Sequence, residues 1–261
     1  MLHLLVWVQF IFVLSVLAYA AIFDFRCREV SNWVWILAYP IGCVMTLASL
    51  AFSLLDVQTV LISFLVSLFF GLVLFCLGFY GSADAKALLF LGLTLPTLPF
   101  TLNSTYGNVG LPLFLTVFCN AALLSLVWPL SIFILNLKDF LKGQDMFDGI
   151  KLSPSEKVWL LFTARKMPIE KLESLRYFPS ETVEIEINQK EGTPCRKLLR
   201  FIKAEADLKK YRDNLKAHSE LYQKGVLVSP TIPTMIFFTI SLALTPLGNL
   251  FFFMLFLFGI I

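Results

Sequence analysis

Residues 2–28 read LHLLVWVQFIFVLSVLAYAAIFDFRCR. From Leu2 to Phe23 no Asp, Glu, Lys or Arg interrupts the run. A helix needs roughly 20 apolar residues to cross the hydrocarbon core, so this segment predicts a transmembrane span. The charges come at its end, as Asp24, Arg26 and Arg28. A secretory signal has its basic residues before the apolar run and a shorter run, so the reading is an uncleaved span with its N-terminus outside. A carboxylate at the edge of a span is costly and marks Asp24 for a function.

The same pattern recurs along the chain. Hydrophobic residues make up 58% of the 261 residues, mean hydropathy is +0.80, and phenylalanine alone occurs 27 times. Soluble domains run at roughly 45–50% apolar, so the class is an integral membrane protein. Apolar runs cover Leu2–Phe23, Trp33–Leu55, Val57–Tyr80, Ala85–Leu98, Leu111–Leu135 and Pro233–Ile261. The fourth is short and is ended by Pro96 and Pro99. It counts as a span because, without it, the basic stretches on its two sides would fall on opposite faces of the membrane. The expected fold is a mainly α membrane protein of six transmembrane helices, with a small α+β cytoplasmic domain inserted before the last helix.

Basic residues orient the spans. Arg26 and Arg28 follow span one, Lys86 opens span four, and Lys138 and Lys142 follow span five. Alternating crossings put all of them on one face, the cytoplasm. The N-terminus, the turn at Asp56, the 99–110 loop and the C-terminus fall outside and carry no Lys or Arg. Asn103-Ser104-Thr105 on that side matches a glycosylation acceptor, a tripeptide common by chance.

All but three of the 21 basic residues lie between Lys138 and Lys224, and 14 of the 18 acids lie between Asp139 and Glu220. The organisation expected is therefore 1–136 for spans one to five, 137–232 for a cytoplasmic domain, and 233–261 for span six. The domain is nearly charge-balanced, which speaks against a nucleic-acid surface. Its charges read first as a solvated surface, and the slight basic excess beside a membrane also suits contact with the anionic head groups of membrane lipids, the partner expected there. Within it, Ser153-Pro154-Ser155-Glu156 predicts a capping box opening a helix to about Arg165. A short helix is expected over 169–176 and a strand over Thr182–Ile187. Gly192-Thr193-Pro194 reads as a turn, and 204–224 as a charged helix ended by Gly225.

A second aspartate opens span four in Gly81-Ser82-Ala83-Asp84-Ala85-Lys86. Either aspartate alone reads as an interfacial group: Asp84 as a cap beside a tight turn at Gly81, Asp24 as a partner of Arg26 or Arg28. Both fall on the same face, and the small Gly81, Ser82 and Ala83 allow a neighbouring helix to approach closely. Two apposed carboxylates share one proton, so one can activate water while the other protonates the carbonyl or the leaving amine. Other chemistries lack their groups. Five scattered cysteines form no CxxC pair or zinc spacing, and the two histidines, His3 and His218, are far apart. The expectation is no metal and no cofactor.

These residues resemble the type IV prepilin peptidases of the GxGD membrane aspartyl protease group, and within it the archaeal preflagellin peptidases. Asp24 followed by Arg28, Val30 and Asn32 is similar to the segment after that family's first aspartate. Gly81-Ser82-Ala83-Asp84 corresponds to GxGD and runs into Lys86, with Ala83 in place of the second glycine. Val228-Ser229-Pro230-Thr231-Ile232-Pro233, at the exit of the inserted domain, is similar to the archaeal form. Ser31 stands where many bacterial relatives have proline. The paired cysteines of the bacterial enzymes are missing, so their N-methyltransferase activity is not implied. The resemblance implies an aspartic endopeptidase with Asp24 and Asp84 as catalytic residues, surrounded by Gly81, Ser82, Ala83, Lys86, Arg28 and Asn32. Its substrates would be preflagellin or prepilin-like precursors, cut at the cytoplasmic face of the cell membrane to remove a short basic leader. The alternatives are an intramembrane protease of the presenilin or signal-peptide-peptidase type, or a non-enzymatic membrane transport or assembly subunit. The first would bring more spans and a PAL-like motif, the second acids deep within a span.

Overall fold

A computed structural model describes residues 2–78, 80–97, 112–148, 150, 152–169, 177–188, 191–198, 213–222, 225–250 and 254. The chain divides into two compact units, Met1–Ser125 with Pro233–Ile261, and Leu126–Ile232.

The first unit holds α1 (Leu2–Cys27), α2 (Asn32–Ala51), α3 (Val57–Cys76), α4 (Ser82–Thr94) and α5 (Leu113–Ser125), and, after the insertion, α8 (Thr234–Leu244). The helix starts follow from side-chain caps. Ser31 accepts the Trp33 N–H at the head of α2, and Asp56 accepts the Thr59 N–H at 2.8 Å at the head of α3. Four stretches among the described residues are long and apolar enough to cross a membrane: Leu4–Cys27, Asn32–Ala51, Val57–Cys76 and Leu113–Leu141. The last includes α5 and α6 (Val127–Leu141).

The fourth and sixth expected spans differ from their sequence reading. α4 has 13 residues, about 20 Å of helix against a hydrocarbon core of about 30 Å. It is nonetheless a central element of the unit, with Ala87, Leu88, Phe90 and Leu91 fully buried. α3 meets it through small residues: a Cβ on Gly92 would stand 2.2 Å from Ser67 Oγ, and one on Gly71 would stand 3.3 Å from the Ala85 carbonyl. That approach is the small-residue packing used by membrane helices. The final carbonyls of α4 lie inside the unit and need donors. The Gln9 amide donates to the Thr94 carbonyl, and the Thr46 hydroxyl lies 3.1 Å from that of Leu93. Ser49 in turn donates to Gln9 at 3.0 Å.

The last apolar run does not continue as one helix. α8 gives way to a 3-10 turn over Thr245–Leu247, where Pro246 cannot extend the helical ladder. Gly248 follows at φ +106°. The fully buried Asn120 of α5 serves the broken backbone: its amide donates to the Gly248 carbonyl at 3.2 Å and accepts the Leu250 N–H at 2.8 Å.

The second unit holds α6, α7 (Pro154–Thr163), β1 (Arg165–Met167), β2 (Tyr177–Pro179), β3 (Glu181–Asn188), β4 (Glu191–Leu198) and β5 (Val226–Pro230). β5 lies between β1 and β2, antiparallel to both. The predicted capping box is present, with Glu156 accepting from both the N–H and the hydroxyl of Ser153. α7 stops at Thr163, two residues short of the expected end, because Arg165–Met167 pairs with β5. The predicted strand is β3. The predicted turn at Gly192–Pro194 is instead strand, β4, paired with β3 from Asn188↔Glu191 to Glu181↔Leu198. Pro194 is tolerated there because a two-stranded sheet has only edge strands. Residues 213–217 are helical, a 3-10 turn covers Ser219–Tyr222, and Gly225 follows at φ +98°. The rest of the charged helix, all but Ile169 of the helix expected over 169–176, and the Asn103 sequon lie outside the described residues.

Candidate active site

Asp24 is on the last turn of α1, and its carbonyl accepts the Arg28 N–H at 3.0 Å. Its side chain is half-buried. Arg28 adopts φ +60°, which turns the chain from α1 toward α2, and its charge acts on the Asp24 carboxylate. Asp84 is the third residue of α4 and is 8% exposed.

The two oxygens of Asp84 have different partners. Oδ2 accepts the Gly81 N–H at 3.0 Å, which satisfies one of the free donors at the start of α4. Oδ1 accepts the hydroxyl of Thr234, the first residue of α8. The next residue, Met235, donates its backbone N–H to Asp24 Oδ2 at 3.2 Å. Thus the capping role and a long-range role coexist in one carboxylate. Two aspartates sixty residues apart in sequence converge on consecutive residues of a third helix. That helix presents its N-terminal end, the positive end of its dipole, to both.

Aromatic packing supports this end of α8. Phe238, one turn on, stacks on Tyr80 with ring centroids 6.0 Å apart and planes 13° apart. Tyr80 also meets Phe118 of α5 at 5.8 Å. Met235 and Phe238 are both 1% exposed, so the first turn of α8 is set firmly among α1 and α5.

The remaining residues singled out in the sequence have separate tasks. Lys86 Nζ donates to Asn32 Oδ1 at 2.6 Å, and the Lys86 carbonyl accepts the Tyr39 hydroxyl at 2.8 Å. This pair joins α2 to α4 and does not touch either aspartate. Gly81 sits at φ −72°, ψ 166°, a conformation open to any residue, and a Cβ there would make only an ordinary 3.5 Å contact with Asp84. The tight turn expected at Gly81 is therefore not what this backbone requires. Gly81 and Ser82 are exposed, and Ala83 alone of the three packs against the core. The close helix approach expected at these three occurs instead at Ala85 and Gly92, deeper in α4. Cys27 is exposed at the end of α1 with a free thiol. Among the described residues no three His, Cys, Asp or Glu side chains gather in a way that would hold a metal ion.

Thr234 and the Met235 N–H are the site groups that sequence reasoning missed. The signal available was Pro233-Thr234 at the head of an apolar run, which reads simply as a chain re-entering the membrane.

Residues 11–134, an interval containing both Asp24 and Asp84, match the type IV leader peptidase family. The chain is 25% identical over 233 residues to a preflagellin peptidase of Methanocaldococcus jannaschii, covering 87% of each chain. It is 24% identical over 236 residues to a preflagellin peptidase of Methanococcus voltae, covering 87% of this chain and 89% of that one. A preflagellin peptidase of Methanococcus maripaludis is similar to the same extent, at 24% identity over 238 residues. These likenesses bear out the resemblance read from the sequence.

Proposed function

We propose that this chain, whose membrane part matches the type IV leader peptidase family, is a membrane aspartic endopeptidase. It removes a short basic leader from preflagellin or prepilin-like precursors at the cytoplasmic face. The observation that carries this reading is the convergence of Asp24 and Asp84 on Thr234 and Met235. Likeness to preflagellin peptidases over most of the chain supports the substrate class.

In the reaction, the ionised member of the pair takes a proton from water as the water oxygen attacks the scissile carbonyl carbon. The protonated member donates to the carbonyl oxygen. As the resulting tetrahedral diol collapses, the carboxyl that took the proton from water passes it to the leaving nitrogen, the C–N bond breaks, and a diol hydroxyl returns its proton to the other carboxylate, which restores the pair. No covalent enzyme intermediate forms. The donors of α8 stabilise the negative charge that remains on the pair. With one proton shared, the pair carries about one negative charge, which favours a basic leader nearby. A helical substrate has its peptide groups bonded internally, so its first turn must open before the bond is accessible. A site at the ends of α1 and α4 suits a bond at the membrane edge.

The experiment is a cleavage assay on membranes with a tagged precursor. Asp24→Asn and Asp84→Asn should each abolish processing with expression retained, because asparagine keeps the shape but exchanges no proton at neutral pH. Cys27→Ser should keep most activity. Near wild-type cleavage by either aspartate variant, or complete loss in a folded Cys27→Ser, would overturn the aspartic mechanism.

A further inference from the structure

The second unit carries an apolar face that its own core leaves uncovered. α7 turns Leu160 inward, against Ile150, Ala164 and Leu227. It turns Val158 and Trp159 outward, 58% and 69% exposed. Two contacts fix the level of this helix against α6. Phe162 stacks on Phe133, with centroids 4.7 Å apart and planes 9° apart. Asn136 donates from its amide to the Leu161 and Ala164 carbonyls at 2.9 and 2.8 Å.

The membrane level of α6 follows from its sequence. Leu113–Leu141 is apolar enough to cross, and Lys138 is the first charged residue after Lys86. At about 1.5 Å per residue, Asn136 lies roughly 3 Å and Phe133 roughly 7–8 Å to the apolar side of Lys138. The headgroup layer is about 5–7 Å deep on each side of the hydrocarbon core. A helix bonded at Asn136 and stacked at Phe133 therefore sits about 3–8 Å to the apolar side of Lys138, across the headgroup layer and its boundary with the hydrocarbon core. On α6 itself Leu130, Ile134 and Leu137 are exposed as well. Tryptophan favours this depth, with its ring among lipid and its N–H toward the head groups.

We propose that α7 is an interfacial helix, with Val158 and Trp159 inserted into the headgroup layer of the bilayer. The inserted segment is then held at the membrane by its own surface, beyond its chain connections to the spans. Lipid is the occupant because α7 is stacked on and bonded to α6, part of a stretch long and apolar enough to cross the bilayer, at the level of its first charged residue. A soluble partner or a second copy would have to displace lipid to reach it.

The test uses the full chain in bilayer nanodiscs and does not depend on peptidase activity. A nitroxide is placed at Trp159→Cys, and separately at Val158→Cys, in a cysteine-free background. The exposed Lys216→Cys serves as the aqueous reference. Power-saturation measurements compare collisions with oxygen, which partitions into lipid, and with a water-soluble nickel chelate. Labels at 158 and 159 should favour oxygen over nickel by at least several-fold relative to 216, with depths near the phosphate level. Nickel accessibility equal to that at 216 would overturn the proposal. Shielding from both reagents would also overturn it, by showing that protein covers this face. Val158→Cys guards against a variant in which loss of the indole itself releases the helix.

Discussion

Thr234 joins the proposed catalytic pair through one hydroxyl, donated to Asp84, so its chemistry can be dissected atom by atom. Thr234→Val keeps the shape and removes the donor to Asp84. A hydrogen bond to a charged group contributes about 1.5–3 kcal/mol, so turnover should fall roughly 10- to 100-fold. Thr234→Ser restores the donor and should recover most of the rate. Because a donated hydroxyl favours the ionised carboxylate, losing it makes the pair harder to ionise. The rate profile of the wild type should be bell-shaped, and its acid limb should move to higher pH in Thr234→Val. The two limbs belong to the coupled pair and not to Asp24 or Asp84 singly. Equal losses in Val and Ser variants with an unmoved profile would reduce Thr234 to a packing residue. Asp24 and Asp84 stand out in the sequence because each is an acid at the edge of an apolar run and alternating crossings bring both to one face. Thr234 does not, because a small polar residue after proline opens many helices without further purpose.

At the level of elements, α4 is the unit's most demanding piece. It is too short to cross alone, so its start must be capped at one level and its end satisfied at another. Asp84 and Gly81 do the first, Gln9 and Thr46 the second. The sequence shows where α4 begins and that prolines end it. It does not show that Gln9 of α1, about 22 Å along the helix from Asp24, serves its far end. Close packing is likewise hidden, since nothing in the local sequence sets Gly92 apart from Gly71 or Gly42. The structure sets it apart by distance. Gly92→Ala places a methyl carbon 2.2 Å from Ser67 Oγ and 2.9 Å from the Ser63 carbonyl, and the latter is backbone. Overpacking of this kind costs about 1–3 kcal/mol, and the melting temperature in detergent should drop accordingly. Pairing it with Ser67→Gly should recover only part of the loss, because the Ser63 contact persists. A Gly92→Ala protein as stable as wild type would mean that α3 and α4 lie farther apart than described.

For the whole molecule, the six-crossing reading rests on charge and length, and four stretches among the described residues meet the length test unaided. Apolar runs mark where helices form, but a run does not reveal a break such as that at Pro246, or a helix as short as α4. Nor does it reveal which side-chain amide mends the break, the task of Asn120. Membrane sidedness is open to direct test. Single cysteines at Asp56 and Ala85 should label from opposite faces of intact spheroplasts, with the position at 85 reached only from the cytoplasm. Labelling of both from one side would remove the α3 crossing from the scheme.

The order in which the chain is made gives the α8 donors a further consequence. Asp84 is synthesised 150 residues, and Asp24 210 residues, before Thr234. Until then the two carboxylates lack the turn on which they converge, and under the proposed mechanism the nascent chain has no working centre. On that mechanism activity arrives only with α8, and an interrupted translation product has none. A gene cut before Pro233 should yield an inserted but inert product. Coexpression of residues 233–261 as a separate peptide should return measurable cleavage, and should fail to do so when that peptide carries Thr234→Val.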